Sequence, residues 1–178
     1  MAEVRSWVVG GALIRHGDGL LMVSNRRRDG SVDWTPPGGV IDAGEELLEG
    51  LAREVREETG LSIDGWTRCA YRVEVEAPDM QWVLRVEAWE ALASGELVAA
   101  DPDGIVEHVR HVSRDEAVAL MANSPLWIQI PVGEWLAGGC DACTADGVVN
   151  GDPVAAARFF RFRLHGADRL THRTEHLL

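Results

Sequence analysis

The run Gly39-Val40-Ile41-Asp42-Ala43-Gly44-Glu45-Glu46-Leu47-Leu48-Glu49-Gly50-Leu51-Ala52-Arg53-Glu54-Val55-Arg56-Glu57-Glu58-Thr59-Gly60-Leu61 decides how this chain is read. Leu48, Leu51, Ala52 and Val55 form an apolar stripe at helical spacing, Glu45 and Glu46 suit an acidic first turn, and Gly60 is a natural stop. The spacing therefore predicts an amphipathic helix between Gly44 and Gly60. Glu54, Glu57 and Glu58, related by i+3 and i+4, crowd onto a face about 100° wide. Glu57 and Glu58 also occupy the last turn, where the helix dipole disfavours an acid by roughly 0.3–1 kcal/mol. A helix built for stability alone would carry Lys or Arg there. The cluster is either a solvated acidic face or a site awaiting a cation, and its hard oxygens suit Mg²⁺ or Mn²⁺, which join carboxylates to substrate phosphates, rather than zinc. Just upstream, Pro36-Pro37-Gly38-Gly39 is a stiff approach followed by two residues without Cβ, which lets backbone come close to an ion or a phosphate.

Working outward, Trp7–Ile14 and Leu20–Val23 read as strands joined by a Gly-Asp-Gly turn, and a polar loop from Arg26 to Ser31 leads to Trp34. Tyr71–Glu76 and Gln81–Trp89 are two further strands around a turn at Ala77-Pro78-Asp79-Met80, and Ile105–Val112 is another, introduced by Asp101-Pro102-Asp103-Gly104. Ser113, with Glu116 at the capping-box position, starts a helix to about Ala122, and Ser124-Pro125 opens a short helical piece. Beyond Ala137 the composition turns to Gly, Asp and small residues, a long loop before Phe160, Phe162 and Leu164 alternate with Arg161, Arg163 and His165 as a strand with one basic face. This order predicts an α+β sandwich with a mixed central sheet, a main domain over residues 1–137 and a C-terminal extension over 138–178. No G-x-G-x-x-G follows a strand, which argues against a dinucleotide-binding sheet.

The 178 residues suit one domain, and 29 acidic against 17 basic residues give a net charge of −12, which disfavours nucleic-acid and anionic membrane partners. No apolar stretch is long enough to span a membrane and the N-terminus does not read as a targeting signal, so a cytoplasmic protein is expected. The 3 cysteines are too few and too odd for a secreted disulfide framework. The 7 tryptophans suggest packing anchors, of which one or two could stack on a flat ligand.

Residues 39–61 resemble the Nudix box, G-x5-E-x7-R-E-U-x-E-E-x-G-U with U aliphatic, at every specified position, and the elements around them are similar to the Nudix αβα sandwich through about Ala137. The resemblance implies divalent-metal-dependent hydrolysis of a diphosphate bond in a nucleoside diphosphate derivative, a small-molecule substrate. It implies Glu54, Glu57, Glu58 and the Gly38 carbonyl as ligands of Mg²⁺ or Mn²⁺, Glu54 as the residue that activates water, and Arg53 as a residue that orients the carboxylates by pairing with Glu45. Some family members use a glutamate outside the box as base. No S-Q-P-W-P-F-P run follows the box, and Pro78 has a turn to explain it, so clean-up of nucleoside triphosphates is favoured over cleavage of ADP-ribose or nucleotide sugars. The competing reading is a regulator that binds a nucleotide on the same fold without turnover.

Weaker candidates lie outside the box. Glu107, on a predicted strand, is either a further metal ligand, as the resemblance implies, or an exposed strand residue, and His111 shares its face where a tryptophan is frequent in similar sequences. Arg26, Arg27 and Arg28 are near the box and could hold a terminal phosphate, with a solvated hairpin tip as the alternative. Trp34 either stacks on a base or packs under the loop. Cys140, Cys143, His172 and His176 are spaced like the halves of a zinc site but too far apart for an ordinary finger. The extension, lying outside the resemblance, is expected to be dispensable for the box geometry, and either buries a homodimer surface or covers the pocket.

Overall fold

In the computed structural model, residues 4–99, 101–138, 157–166 and 173–177 are described. Cys140, Cys143 and His172 lie outside them. Strands β1 (Arg5–His16), β2 (Gly19–Arg26) and β3 (Val32–Thr35) precede helix α1 (Leu47–Thr59). The long strands β4 (Ser62–Ala77) and β5 (Trp82–Ser94) follow, joined by a short 3-10 turn at Pro78–Met80, and then β6 (Val106–Val112). Helices α2 (Arg114–Leu120) and α3 (Leu126–Ala137) come next, and β7 (Arg158–His165) and β8 (Arg173–Leu177) complete the described chain.

The strands join as β3-β2-β1-β5-β4-β7-β8, with β6 on β2. β1 runs parallel to β5 and β7 parallel to β4, whereas β4–β5, β2–β3, β2–β6 and β7–β8 are antiparallel, so the sheet is mixed. Alternation along the strands sends side chains to two cores. On one side Leu13, Tyr71, Val73, Val75, Phe160, Phe162 and Leu164 pack with Met121, Val132 and Trp135 from the later helical segments. On the other, Ala12, Ile14, Leu21, Cys69 and Trp89 pack beneath Leu51 and Val55 of α1. Helices thus cover both faces of an α+β sandwich.

α1 begins at Leu47, so Glu45 precedes it instead of lying in its first turn, and the helix ends on Gly60 at φ 77, a left-handed stop that suits a residue without Cβ. The Ser113 cap forms, its Oγ accepting from the Glu116 amide at 3.3 Å, while the Glu116 carboxylate turns to Arg110 at 2.9 Å. Trp34 stands in strand β3, just after the polar loop read over Arg26 to Ser31 and in a stretch to which the sequence assigns no strand, because pairing with β2 from Val23↔Thr35 to Arg26↔Val32 outweighs its short, mixed character. The strand with a basic face, β7, is a member of the sheet. Its inward Phe160, Phe162 and Leu164 are 6%, 0% and 1% exposed, inside the core that α3 covers. Outward, Arg161 and Arg163 meet Glu74 at 3.2 Å and Glu76 at 2.9 Å.

Candidate active site

The site begins where the loop before α1 is stitched to β1. The Ala12 amide donates to the Pro37 carbonyl at 2.8 Å, the Gly10 amide to the Gly39 carbonyl at 3.0 Å, and the Ile41 amide to the Val8 carbonyl at 2.9 Å. These bonds use the carbonyls on either side of Gly38 and leave the Gly38 carbonyl untaken by β1. The contact demands glycine: Gly38 has φ 145, and a Cβ there would stand 2.1 Å from the Gly10 carbonyl oxygen. A Cβ on Gly39 would stand 2.5 Å from Glu54 Oε2. The Pro-Pro-Gly-Gly approach is therefore a seat for two glutamates of the helix.

Glu58 occupies the first place. It is buried, and its Oε2 accepts from the Gly38 amide at 2.7 Å. Burial pushes its carboxyl up to about 8, with Glu54 and Asp101 adding repulsion, the Gly38 bond opposing the shift and Arg27 opposing it more weakly. Glu54 occupies the second place, and burial raises its carboxyl as well, against the pull of Arg53 and with repulsion from Glu57 and Asp101.

Arg53 is the hub. Its Nε and Nη2 donate to the two oxygens of Glu45 at 3.1 and 3.0 Å, and its Nη1 donates to Glu54 at 2.8 Å and to Glu57 at 3.1 Å. The bond to Arg53 lowers the Glu45 carboxyl, and the carboxylates in turn hold the guanidinium protonated. Gly50 makes room, since a Cβ there would be 2.6 Å from Glu45 Oε2.

The candidates outside the box are placed differently. Glu107 is paired with Arg26 through Nε at 2.5 Å. Among the described residues, no hydrogen bond or ion pair joins Glu107 to Glu54, Glu57 or Glu58. Arg28 is exposed and has no ion pair among the described residues. Trp34 packs against the core under Arg110, whose guanidinium lies 5.0 Å from its ring. It also lines a cleft of about 520 Å³ with Leu97, Ala99, Glu107, His108, Val109 and Arg110. His111 stacks on His16 with ring centroids 4.3 Å apart.

Asp101 was not legible as a site residue, and Arg27, read as a candidate for a terminal phosphate, acts instead through its charge on Glu58. Asp101 reads in sequence only as the start of a turn, and it does build one: its carboxylate accepts from the amides of Asp103, Ile105 and Val106 at 3.1, 2.7 and 2.9 Å. Its charge nevertheless acts on both Glu54 and Glu58. Arg27, in the middle of the arginine run, is held by Asp33 through two bonds of 2.8 and 2.9 Å and is the arginine of that run whose charge reaches Glu58. The paired polarity of Arg27 and Asp33 is visible in the sequence, but their closeness to the helix end is not.

Among the described residues no three His, Cys, Asp or Glu side chains converge as a closed metal cage. The donor set is instead an open one. Hard carboxylate oxygens, two of them on desolvated groups, lie beside an untaken backbone carbonyl. That fits Mg²⁺ or Mn²⁺, which are commonly bound by one or two carboxylates together with waters and substrate phosphates.

The fold and this glutamate-arginine constellation point to a single family. A model of the NUDIX domain matches residues 5–131, and the chain belongs to the Nudix family. Human m7GpppN-mRNA hydrolase NUDT17 is 32% identical over 79 residues, 40% of this chain and 24% of NUDT17. Phosphatase NudJ of Escherichia coli K12 is 39% identical over 51 residues, 29% of this chain and 33% of NudJ. The chain thus spans about a quarter to a third of these curated relatives. Among solved structures, the E. coli ORF135 protein superposes with a TM-score of 0.64 at 21% identity, covering 80% of this chain and 96% of that one, a likeness of fold. No helix among the described residues is long and apolar enough to cross a membrane.

Proposed function

We propose that the protein hydrolyses a diphosphate bond in a nucleoside diphosphate derivative, with Mg²⁺ or Mn²⁺ held by Glu54, Glu57, Glu58 and the Gly38 carbonyl. The observation that carries this reading is the desolvation of Glu54 and Glu58 on one helix end, where Glu57 repels Glu54, Glu54 repels Glu58 and both feel Asp101. Such an arrangement destabilises the protein unless a cation completes it. Bound there, the metal supplies charge neutralisation for the diphosphate and acidifies water. Glu54 takes the proton from the attacking water, Arg53 positions Glu54 and Glu57 from its anchor on Glu45, and the buried Glu58 ties the helix end to Gly38. Glu107 is a further ligand on condition that its pair with Arg26 opens.

Arg26, which pairs with the cleft residue Glu107, and Arg28 offer cations to the phosphate chain, and Trp34, which lines that cleft, offers a ring to a base. Nucleoside triphosphates are the favoured substrates over ADP-ribose and nucleotide sugars. Pro78 opens the turn between β4 and β5 and so needs no role in substrate choice. The buried free thiol of Cys69 suits a reducing cytoplasm.

The test is a panel of nucleoside triphosphates, ADP-ribose and nucleotide sugars with Mg²⁺, with products identified by chromatography. Turnover that stops in excess EDTA and returns with Mg²⁺ or Mn²⁺ supports the reading. Tight binding of one compound with no turnover of any would make the protein a nucleotide-binding regulator instead.

A further inference from the structure

Arg53 divides its donors between two tasks. Nε and Nη2 are committed to Glu45, at 3.1 and 3.0 Å, whereas the single nitrogen Nη1 bridges Glu54 Oε1 and Glu57 Oε2 at 2.8 and 3.1 Å. The other oxygen of Glu54 is packed against Gly39, where there is no room even for a Cβ. Glu54 therefore has Oε1 engaged by a guanidinium nitrogen, so an ion that approaches Oε1 competes with Nη1 for it. The charges do not balance either, since the carboxylates of Glu45, Glu54 and Glu57 share one guanidinium.

We infer that Arg53 Nη1 is an internal stand-in cation, clasping Glu54 and Glu57 in the metal-free protein and yielding both when a divalent ion binds, while Nε and Nη2 stay on Glu45. The inference rests on the metal-dependent reading above and goes beyond it by making Arg53 a competitor of the metal as well as a positioning residue. A guanidinium has five N–H donors in a rigid fork, so letting go with Nη1 does not cost Arg53 its bidentate partner. Glu54 and Glu57, three residues apart on one face, would repel each other without a cation between them. The clasp holds the acid set together until the ion arrives, and its release frees Glu54.

The test measures Mn²⁺ binding by electron paramagnetic resonance on the full chain, for wild type, Arg53→Gln and Glu45→Gln, alongside melting curves without metal. Arg53→Gln is expected to melt lower without metal yet bind Mn²⁺ about tenfold tighter, the gain from removing a unit positive charge beside a divalent ion even at a water-like dielectric. Glu45→Gln, which leaves the whole fork to Glu54 and Glu57, is expected to bind Mn²⁺ more weakly than wild type. In nitrogen-15 spectra of the wild type, saturating Mg²⁺ is expected to shift the Arg53 Nη signals and leave Nε in place, a readout that stands even if Arg53→Gln fails to fold. Arg53→Gln binding Mn²⁺ no tighter than wild type, or unmoved Nη signals, overturns the clasp alone. A wild type that binds no Mn²⁺ at millimolar concentration overturns the metal-dependent reading and the clasp with it.

Discussion

Glu58, one residue before the end of the helical run, accepts the backbone amide of Gly38 at 2.7 Å, so the last turn of α1 is bonded to the loop twenty residues earlier in the chain. A buried acid with a single backbone donor is a poor choice for stability, because one neutral hydrogen bond offsets only part of the cost of desolvating a carboxylate. Its carboxyl shift, to about 8, is the measure of that imbalance.

The metal-free protein is therefore expected to lose stability as pH rises from 4.5, the ordinary value of a glutamate, through about 8. The folded state binds one more proton than the unfolded state across that window, which makes the slope negative and the total on the order of a few kcal/mol. Glu58→Gln keeps an oxygen for the Gly38 amide and carries no charge to desolvate. It should flatten that slope, raise the metal-free melting temperature near neutral pH by several degrees, and remove most of the stabilisation conferred by Mg²⁺. Melting curves from pH 5 to 9 in EDTA and in Mg²⁺ check this, and a variant that melts lower in EDTA while staying active would make Glu58 structural.

Gly39→Ala separates site geometry from folding. The new methyl would fall 2.5 Å from Glu54 Oε2, the end of a side chain, whereas a methyl on Gly38 would fall 2.1 Å from the backbone oxygen of Gly10 at a φ of 145. Gly39→Ala is expected to fold with a modest loss of stability and lose activity by orders of magnitude, while Gly38→Ala loses stability first. Urea unfolding paired with turnover of the best substrate distinguishes the two.

Removal of residues after Gly138 would strip β7 from β4 and uncover Tyr71, Val73 and Val75, all buried in the core that Phe160, Phe162 and Leu164 help to fill. The expectation that the extension is dispensable gives way here to the prediction of a severely destabilised protein. Phe162→Ala, at a fully buried position, should cost about 3–5 kcal/mol by itself. Denaturant midpoints of the truncated chain and the point variant measure both effects.

His111 sets a second pH response with the opposite sign. Burial, and then the stacked His16, hold its imidazole below the ordinary value of 6.5, and its Nδ1 is buried without a hydrogen-bond partner among the described residues. In the unfolded chain it protonates more readily, so stability is expected to fall as pH drops below about 6.5. His111→Gln should reduce that acid-side loss in melting curves taken from pH 7 to 5.

Much of the architecture could be read locally. The apolar stripe of α1, the Gly60 stop, the Ser113 cap and the alternation in β1 and β7 are properties of a few neighbouring residues, and the Nudix box places Arg53, Glu54, Glu57 and Glu58 on one face through helical geometry alone. What spacing did not reveal was partnership across the fold. β3 is only four residues long and mixed in character, and only the neighbouring β2 makes it a strand. β7 follows a change in composition that looks like a linker, and only the register with β4 shows that its aromatic side is core.

The site divides in the same way. The identity of the acids and the need for glycine beside them belong to the chain, because helix periodicity and the absence of a Cβ act over short distances. Which charges face those acids was decided by tertiary structure. Asp101 and Arg27 reach Glu58 because strands and turns far apart in sequence bring them near the helix end, and Glu107 is tied to Arg26 because β2 and β6 lie side by side. Coulomb interactions depend on distance in space and on burial, and neither is encoded in the spacing of residues along the chain.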